Sequence, residues 1–440
     1  MNNKERMELA KWVVTRAKHN GANEAAVNID GSRDIEIEYR EKSLDKLKES
    51  TSNSLSVTIY ANNRFSSHST NDLKKESLEK FIEEAVAMTK YLAEDEFRRL
   101  PDPKYYEGRQ DIDLQIFDDR YPAVTTEERV ARAKDIEKAA VAMSDQIISC
   151  TAYSGDSLGE SVKVHSNGFE GAKSSTTFYA GAEVTVKDGD KGRPSDYCYG
   201  TVRFYKDIPD NETIARDAVN RALMKIGQKK MNSGVYDMII ENRAATRMLY
   251  YLQGPLSGSA LQQKQSYLEG MLGKKIASEK LTVIDDPFIK GALGSRLYDS
   301  DGFAAKKRII IDKGILKSYL IDDYYANKMG VEPTSGSTSN TLFEYGDRSL
   351  DDMVAGLEKG MVVTGFIGGN SNPTTGDFSV GIVGYYVEHG KFVNGVNEMN
   401  VAGNLKEFWN QLTEMGNDPY PYSSNLRPSM YFKDIHFSGI

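Results

Sequence analysis

Four hundred and forty residues are long for one small core and suit two domains of about 200 residues each. With 56 lysines and arginines against 64 aspartates and glutamates, the formal charge is −8, which leaves no cation surplus for neutralising nucleic-acid phosphates. Five histidines and two cysteines exclude a zinc-finger or iron–sulfur protein and confine any histidine-based metal site to His19, His68, His165, His389 and His436.

The opening MNNKERMELAKWVV is charged at once and has no apolar h-region, and no run approaches the ~18 apolar residues of a membrane span. A cytoplasmic chain is therefore expected, with Cys150 and Cys198 as buried free thiols. Residues 4–19 carry Met7, Ala10, Val14 and Ala17 at helical spacing and stop at Gly21. Residues 34–40 and 54–60 alternate, which predicts two half-buried strands, and a second helix follows at 75–91. A linker rich in charge, proline and aromatics occupies 95–122.

The order then starts again. Thr125 and Glu128 have the spacing of a capping box, and Val130, Ala133, Ile136 and Ala140 form the stripe of a third helix. Strands are predicted at 146–152, 161–165, 170–187 and 196–205, and a helix at 211–226 ends on Gly227. The repeat of helix, strands and helix, about 125 residues apart, predicts an internal duplication. Beyond Gly234 short β-like runs dominate, broken by turn signals at 312–314 (DKG) and 388–391 (EHGK). Helices are expected at 242–253, 322–329, 349–359 and 402–414. The fold class read from this pattern is α+β. A duplicated α/β half at 1–230, with subrepeats 1–95 and 122–230, precedes a β-rich, curved-sheet or barrel-like domain at 231–440 with peripheral helices.

Familiar catalytic motifs fail on spacing. GMLGKKIA at 270–277 has neither the length nor the hydroxyl of a phosphate-binding loop, and neither GPLSGSA at 254–260 nor GDFSVG at 376–381 has glycines two residues away on both sides of a serine. A zincin-type site needs two histidines one helical turn apart with a neighbouring glutamate; no histidine here precedes a glutamate, and the closest two are 47 positions apart.

The carboxyl-terminal half contains SRLYDSDGFAAKKRIIIDKGILKSYLIDDYYANKMG (295–330), MVVTGFIGG (361–369), TTGDFSVGIVGYYVEHGKFVNGVNEMNVAGNLKEFWNQLTEMGND (374–418) and a closing PSMYFKDIHFSGI. These ordered segments, with their G-D-[YF]-S, E-x-G and E-x-x-[IV]-A-G-N-L signatures, resemble the TldD/PmbA family, formerly called modulators of DNA gyrase. The resemblance implies one of two kinds of subunit. TldD-type chains carry His-Glu-x-x-x-His on a helix early in the carboxyl-terminal domain and bind the catalytic metal. TldE chains, also called PmbA, lack it and pair with a TldD partner in a heterodimeric metalloprotease acting on unfolded or leader peptides. Here Leu249 and Tyr250 stand where the first His-Glu would fall and Gly254 where the second histidine would, and no histidine lies between 166 and 388.

The resemblance therefore implies a TldE/PmbA-type subunit with no catalytic, cofactor or metal residue of its own. Zinc or a similar divalent ion would belong to the TldD-type partner. A peptide substrate in the complex and a homodimer when the chain is made alone are also expected, with neither nucleic acid nor membrane as partner. Candidate peptide-groove or interface residues are Gly254, Ser257 and Gly258 in the segment after the helix, and Asp377, Glu388 and Asn404 in the signatures. Each has a plainer reading: a helix end, a turn carboxylate, or a cap on the helix beginning at Leu405. Two other functions compete: a metallopeptidase active alone through an unconventional site, and a regulatory protein acting on gyrase.

Overall fold

The computed structural model describes residues 1–190 and 192–440. The first half is one six-stranded antiparallel sheet built from two copies of a helix–three strands–helix unit. The first copy comprises α1 (Asn3–His19), β1 (Glu24–Arg40), β2 (Ser43–Ala61), β3 (Arg64–Thr70) and α2 (Lys75–Thr89). The second comprises α3 (Thr126–Val141), β4 (Ile147–His165), β5 (Glu170–Val186), β6 (Ser195–Val202) and α4 (Asn211–Leu223). The strand order β3-β2-β1-β4-β5-β6 joins the copies through β1 and β4, paired from Ala26↔His165 to Arg40↔Thr151.

The duplication extends to local chemistry. Asn2 and Glu5 form a capping box on α1, and Thr125 and Glu128 form the same box on α3. The next residue in each copy is a buried arginine: Arg6 reaches Glu160 at 2.7 Å, and Arg129 reaches Asp156 at 2.5 Å. Both carboxylates sit in the middle of β4. That strand was expected as two, because SGDSLGE interrupts its apolar alternation. The arginines from the helix layer pair its acidic residues, so one 19-residue strand runs through. The polar β3 (RFSSHST) escaped the sequence reading for the same reason: it lacks an apolar alternation.

Helices α1 and α2 pack Leu9, Val13, Leu78 and Ile82 against Val27, Ile29, Val57 and Ile59, while α3 and α4 cover Ala152, Phe178, Ala180 and Val184. Cys150 is buried, Cys198 is half-buried, and both are free thiols. Segment 95–122 runs as a strap across the two halves: Gly291 N–H donates to Leu114 O at 2.8 Å and Ala304 N–H to Tyr105 O at 2.8 Å.

The second half is built on β7 (Gly234–Ile240), followed by α5 (Thr246–Gln253) and α6 (Gly258–Gln262). A small sheet contains β8 (Val283–Asp285), β9 (Arg308–Asp312), β10 (Ile315–Leu316) and, beyond α7 (Asp323–Met329), β11 (Thr341–Phe343). After α8 (Leu350–Ala355) come β12 (Lys359–Ser371), β13 (Asp377–Glu388), β14 (Lys391–Asn404), α9 (Leu405–Phe408), β15 (Leu412–Met415) and β16 (Met430–Ser438). The order β14-β13-β12-β7-β16 closes on itself where β14 pairs with β16 at Asn400↔Ser438 and Val401↔Phe437, giving a five-stranded barrel with peripheral helices. Among the described residues, β7–β12 is the one parallel pairing between barrel strands.

The helix expected over 402–414 is a single turn, α9, followed by a 3₁₀ turn and β15. Its apolar set is nevertheless internal: Leu405, Phe408, Trp409 and Leu412 all lie in the barrel core with Phe378 and Phe432. Both turn signals form turns. Lys313 and Gly314 have φ of 46° and 77°, and His389 and Gly390 have 49° and 70°, the left-handed pairs that suit two-residue hairpins.

Candidate functional site

Helix α5 follows β7 directly and packs Met248, Leu249 and Leu252 into the barrel core, leaving Tyr250 69% exposed. Its outer face meets two hollows. One, of about 620 Å³, lies between the end of α4, β6, the entry to α5 and Thr364–Ile367 of β12; the other, of about 270 Å³, lies between Tyr250, Gly254, Ser259 and Ser371–Pro373. Tyr250 lines both, so the two hollows adjoin at this side chain as an interrupted groove along α5. The far wall of this groove is an unpaired strand edge. β12 pairs with β7 only over Gly360–Val363, so on that side Thr364–Ser371 has no strand neighbour among the described residues.

The candidate residues divide. Gly254 ends α5 in helical conformation, and a Cβ there would meet nothing within 4 Å, so its surface is open to an incoming chain. Ser257 caps α6, its hydroxyl accepting from Ala260 N–H at 3.3 Å and donating to Gly254 O at 2.9 Å. Gly258 is buried, and its smallness serves internal packing, since a Cβ would come within 2.8 Å of Tyr325 Cβ. Asp377 and Asn404 face each other across β13 and β14. The Asn404 amide donates to Asp377 at 2.9 Å and to Thr375 O at 3.0 Å, while its oxygen accepts from Lys406 N–H at 3.1 Å to cap α9. Hydrogen bonds from Thr375 and Asn404 hold the Asp377 carboxyl below its ordinary range. This pair fixes the loop 372–376, whose Pro373 accepts from Tyr267 N–H at 2.7 Å and borders the smaller hollow. Glu388 ends the same strand at its other extremity, accepting from Tyr386 Oη at 3.3 Å, and takes no part in the groove. Sequence reasoning did not single out Arg243, Arg247 or Tyr197, which line the larger hollow; their only signal was two arginines four residues apart at a helix entry.

The donor set on α5 does not fit a metal. Leu249 is core, Tyr250 offers only a phenol and Gly254 nothing. The five histidines lie on α1, β3, β4, the β13–β14 turn and β16. Burial pushes His165 down to about 3, and its ring shares a 3.0 Å hydrogen bond with Tyr106 Oη. His389 pairs with Glu358 on the surface. Among the described residues no group of three or more histidine, cysteine, aspartate or glutamate side chains is arranged to hold a metal ion.

Three family models align in order: PmbA/TldA metallopeptidase domain 1 over residues 25–89, the central domain over 119–226 and the C-terminal domain over 233–439. The chain belongs to the PmbA/TldD metallopeptidase family. It is 29% identical to Metalloprotease PmbA of Escherichia coli O157:H7 over 421 residues, covering 94% of this chain and 92% of that one. Among solved structures, a Bacteroides thetaiotaomicron protein described as a candidate modulator of DNA gyrase superposes with a TM-score of 0.97 at 40% identity, covering all of both chains. TldE from Thermococcus kodakarensis shares the fold, with a TM-score of 0.87 at 22% identity over 98% of this chain and 100% of that one. Among the described residues no helix is long and apolar enough to cross a membrane.

Proposed function

We infer that this chain is the PmbA/TldE-type subunit of a heterodimeric metalloprotease that trims or degrades unfolded or leader peptides. In that reading it supplies no metal ligand and no base. It positions a TldD-type partner that holds the zinc or similar ion, and it lines part of the chamber in which the peptide lies. The observation that carries the reading is the family's ligand helix: α5 is in place and well packed, yet presents Leu249, Tyr250 and Gly254 where the metal-binding subunit needs His-Glu and His. Near end-to-end alignment with a PmbA protein supports the same assignment. The open edge of β12 at Thr364–Ser371 suits an extended peptide, because main-chain hydrogen bonds hold a strand whatever its sequence.

The test is purification of this chain from its native cell, alone and with whatever protein accompanies it. The complex is expected to cleave an unfolded peptide and to lose that activity to a chelator, while the isolated chain does neither and carries no stoichiometric metal. An isolated chain that binds one metal per subunit and cleaves the peptide would sink the assignment.

A further inference from the structure

The larger hollow beside α5 has an unusual charge balance for a chain of net charge −8. Four cations face it: Arg221, Lys225, Arg243 and Arg247. Arg221 is bound by Glu241 at 2.5 Å and by Asp196 at 3.4 Å, and Lys225 reaches Asp196 at 3.1 Å. Those two cations are therefore spent on Asp196 of the same wall and on the buried Glu241 behind it. Arg243 and Arg247 have no ion pair among the described residues. Arg243 is held in place without being neutralised: its guanidinium lies 4.7 Å from the Tyr197 ring centroid and donates to Tyr197 O at 2.9 Å. Arg247, half-buried one helical turn further on, has no side-chain hydrogen-bond partner among the described residues.

We propose that Arg243 and Arg247 form a carboxylate-recognition pocket for acidic peptides lying on the β12 edge. A guanidinium presents a planar fork that takes a carboxylate through two parallel N–H···O bonds, and in a partly desolvated pocket that pairing outweighs what it yields in open water. The placement fits a peptide better than a free anion. Thr364, Gly365, Phe366 and Ile367, the first residues of the unpaired edge, form one wall of the hollow. A strand added there points alternate side chains to one face, so an acidic side chain or the terminal α-carboxylate enters the hollow while the backbone stays on the edge. Tyr197, Tyr250 and Ile367, each substantially exposed, supply apolar surface for the flanking residues.

This inference rests on the peptide-chamber reading above and adds the chemistry of the peptide. Three fluorescein-labelled decapeptides of serine, threonine and valine test it by fluorescence anisotropy on the full-length chain. One has a central glutamate and an amidated end, one a central glutamine and a free carboxylate, and one a central glutamine with an amidated end. At least one carboxylate peptide is expected to bind about tenfold more tightly than the neutral one, the preference shrinking at high salt. Which of the two does so identifies the source of the carboxylate. Arg247→Gln should bring the ratio of dissociation constants to about one, and Arg247→Lys should restore only part of it, because an ammonium lacks the fork.

Equal affinities for all three peptides overturn the inference, as does an Arg247→Gln chain that weakens all three alike. If neutral peptides bind but no preference exists, the chamber reading stands and only the pocket assignment fails. If no peptide binds the chain or its complex with the catalytic subunit, both fail. An Arg247→Gln chain that keeps its peptide preference but no longer assembles would show that the pocket receives an acidic residue of the partner, which also overturns the proposal.

Discussion

A Cβ placed on Gly258 lies 2.8 Å from the Cβ of Tyr325 and 3.4 Å from the backbone of Ile321, whereas one on Gly254 meets nothing within 4 Å. The first contact involves atoms that cannot rotate away, so Gly258→Ala must push α6 from α7. It is expected to lower stability by about 1–3 kcal/mol in urea unfolding. Gly254 has helical dihedrals, φ −50° and ψ −53°, but precedes Pro255, whose Cδ crowds a Cβ on a helical neighbour; alanine there should therefore gain little from restricting the unfolded chain and leave stability within about 0.5 kcal/mol of the parent. The pair separates two reasons for a small residue. A Gly254→Ala chain that is about as stable as the parent but binds its partner or peptide less tightly would place Gly254 in a contact surface. Unchanged binding would leave it a simple helix end.

At the scale of elements, side-chain caps mark the starts of α1, α3, α4 and α6–α9, whereas α2 and α5 begin without one. Thr125 accepts from Glu128 N–H at 3.1 Å, and Glu128 accepts from Thr125 N–H at 2.9 Å, so two otherwise unpaired donors at the start of α3 are satisfied together. Thr125→Ala is expected to cost about 1 kcal/mol, with Thr125→Ser close to the parent, by urea unfolding. This box was legible from four letters, and so were the turns at Lys313–Gly314 and His389–Gly390, because both depend on local backbone chemistry. The continuity of β4 was not legible. Its middle is polar, and the arginines that pair Asp156 and Glu160 come from helices 27 and 154 positions away. The over-long helix at 402–414 fails in the reverse sense: Leu405, Phe408, Trp409 and Leu412 keep helical spacing, but pairing of β15 with β16 claims Leu412. In the groove, the absence of histidine on α5 was readable directly. The Arg243–Arg247 hollow was not, since its other walls come from β6, α4 and β12.

Across the whole molecule, the two halves meet where the strap touches α7 and where Lys163 of β4 donates to Ser300 O, next to Asp301. Tyr324 Oη donates to Asp95 at 2.8 Å, and Asp323 N–H donates to Asp301 at 3.1 Å. Burial, reinforced by the charge of Asp299, raises the Asp301 carboxyl to about 6; burial raises Asp323 to about 6 as well. A carboxyl raised in the folded state binds its proton more tightly there than in the unfolded chain. Its contribution to stability is therefore complete below the ordinary value of 3.8 and is lost as pH rises through about 6. His165 works the other way in part of this window. Its folded value, pushed down to about 3 by burial, means that the unfolded chain takes up a proton below the ordinary 6.5 while the folded chain does not. The parent's pH curve sums these opposing trends, so the discriminating quantity is the difference between parent and variant, in which His165 cancels. Asp301→Asn keeps an oxygen for the Asp323 N–H and removes the buried charge. It is expected to be more stable than the parent at pH 7 by about 1–3 kcal/mol, with the advantage shrinking toward pH 5 as the parent's own carboxyl takes up its proton. Thermal unfolding of both chains across that range measures it. A pH-independent difference would show that the substitution acts through packing rather than through the charge at this junction.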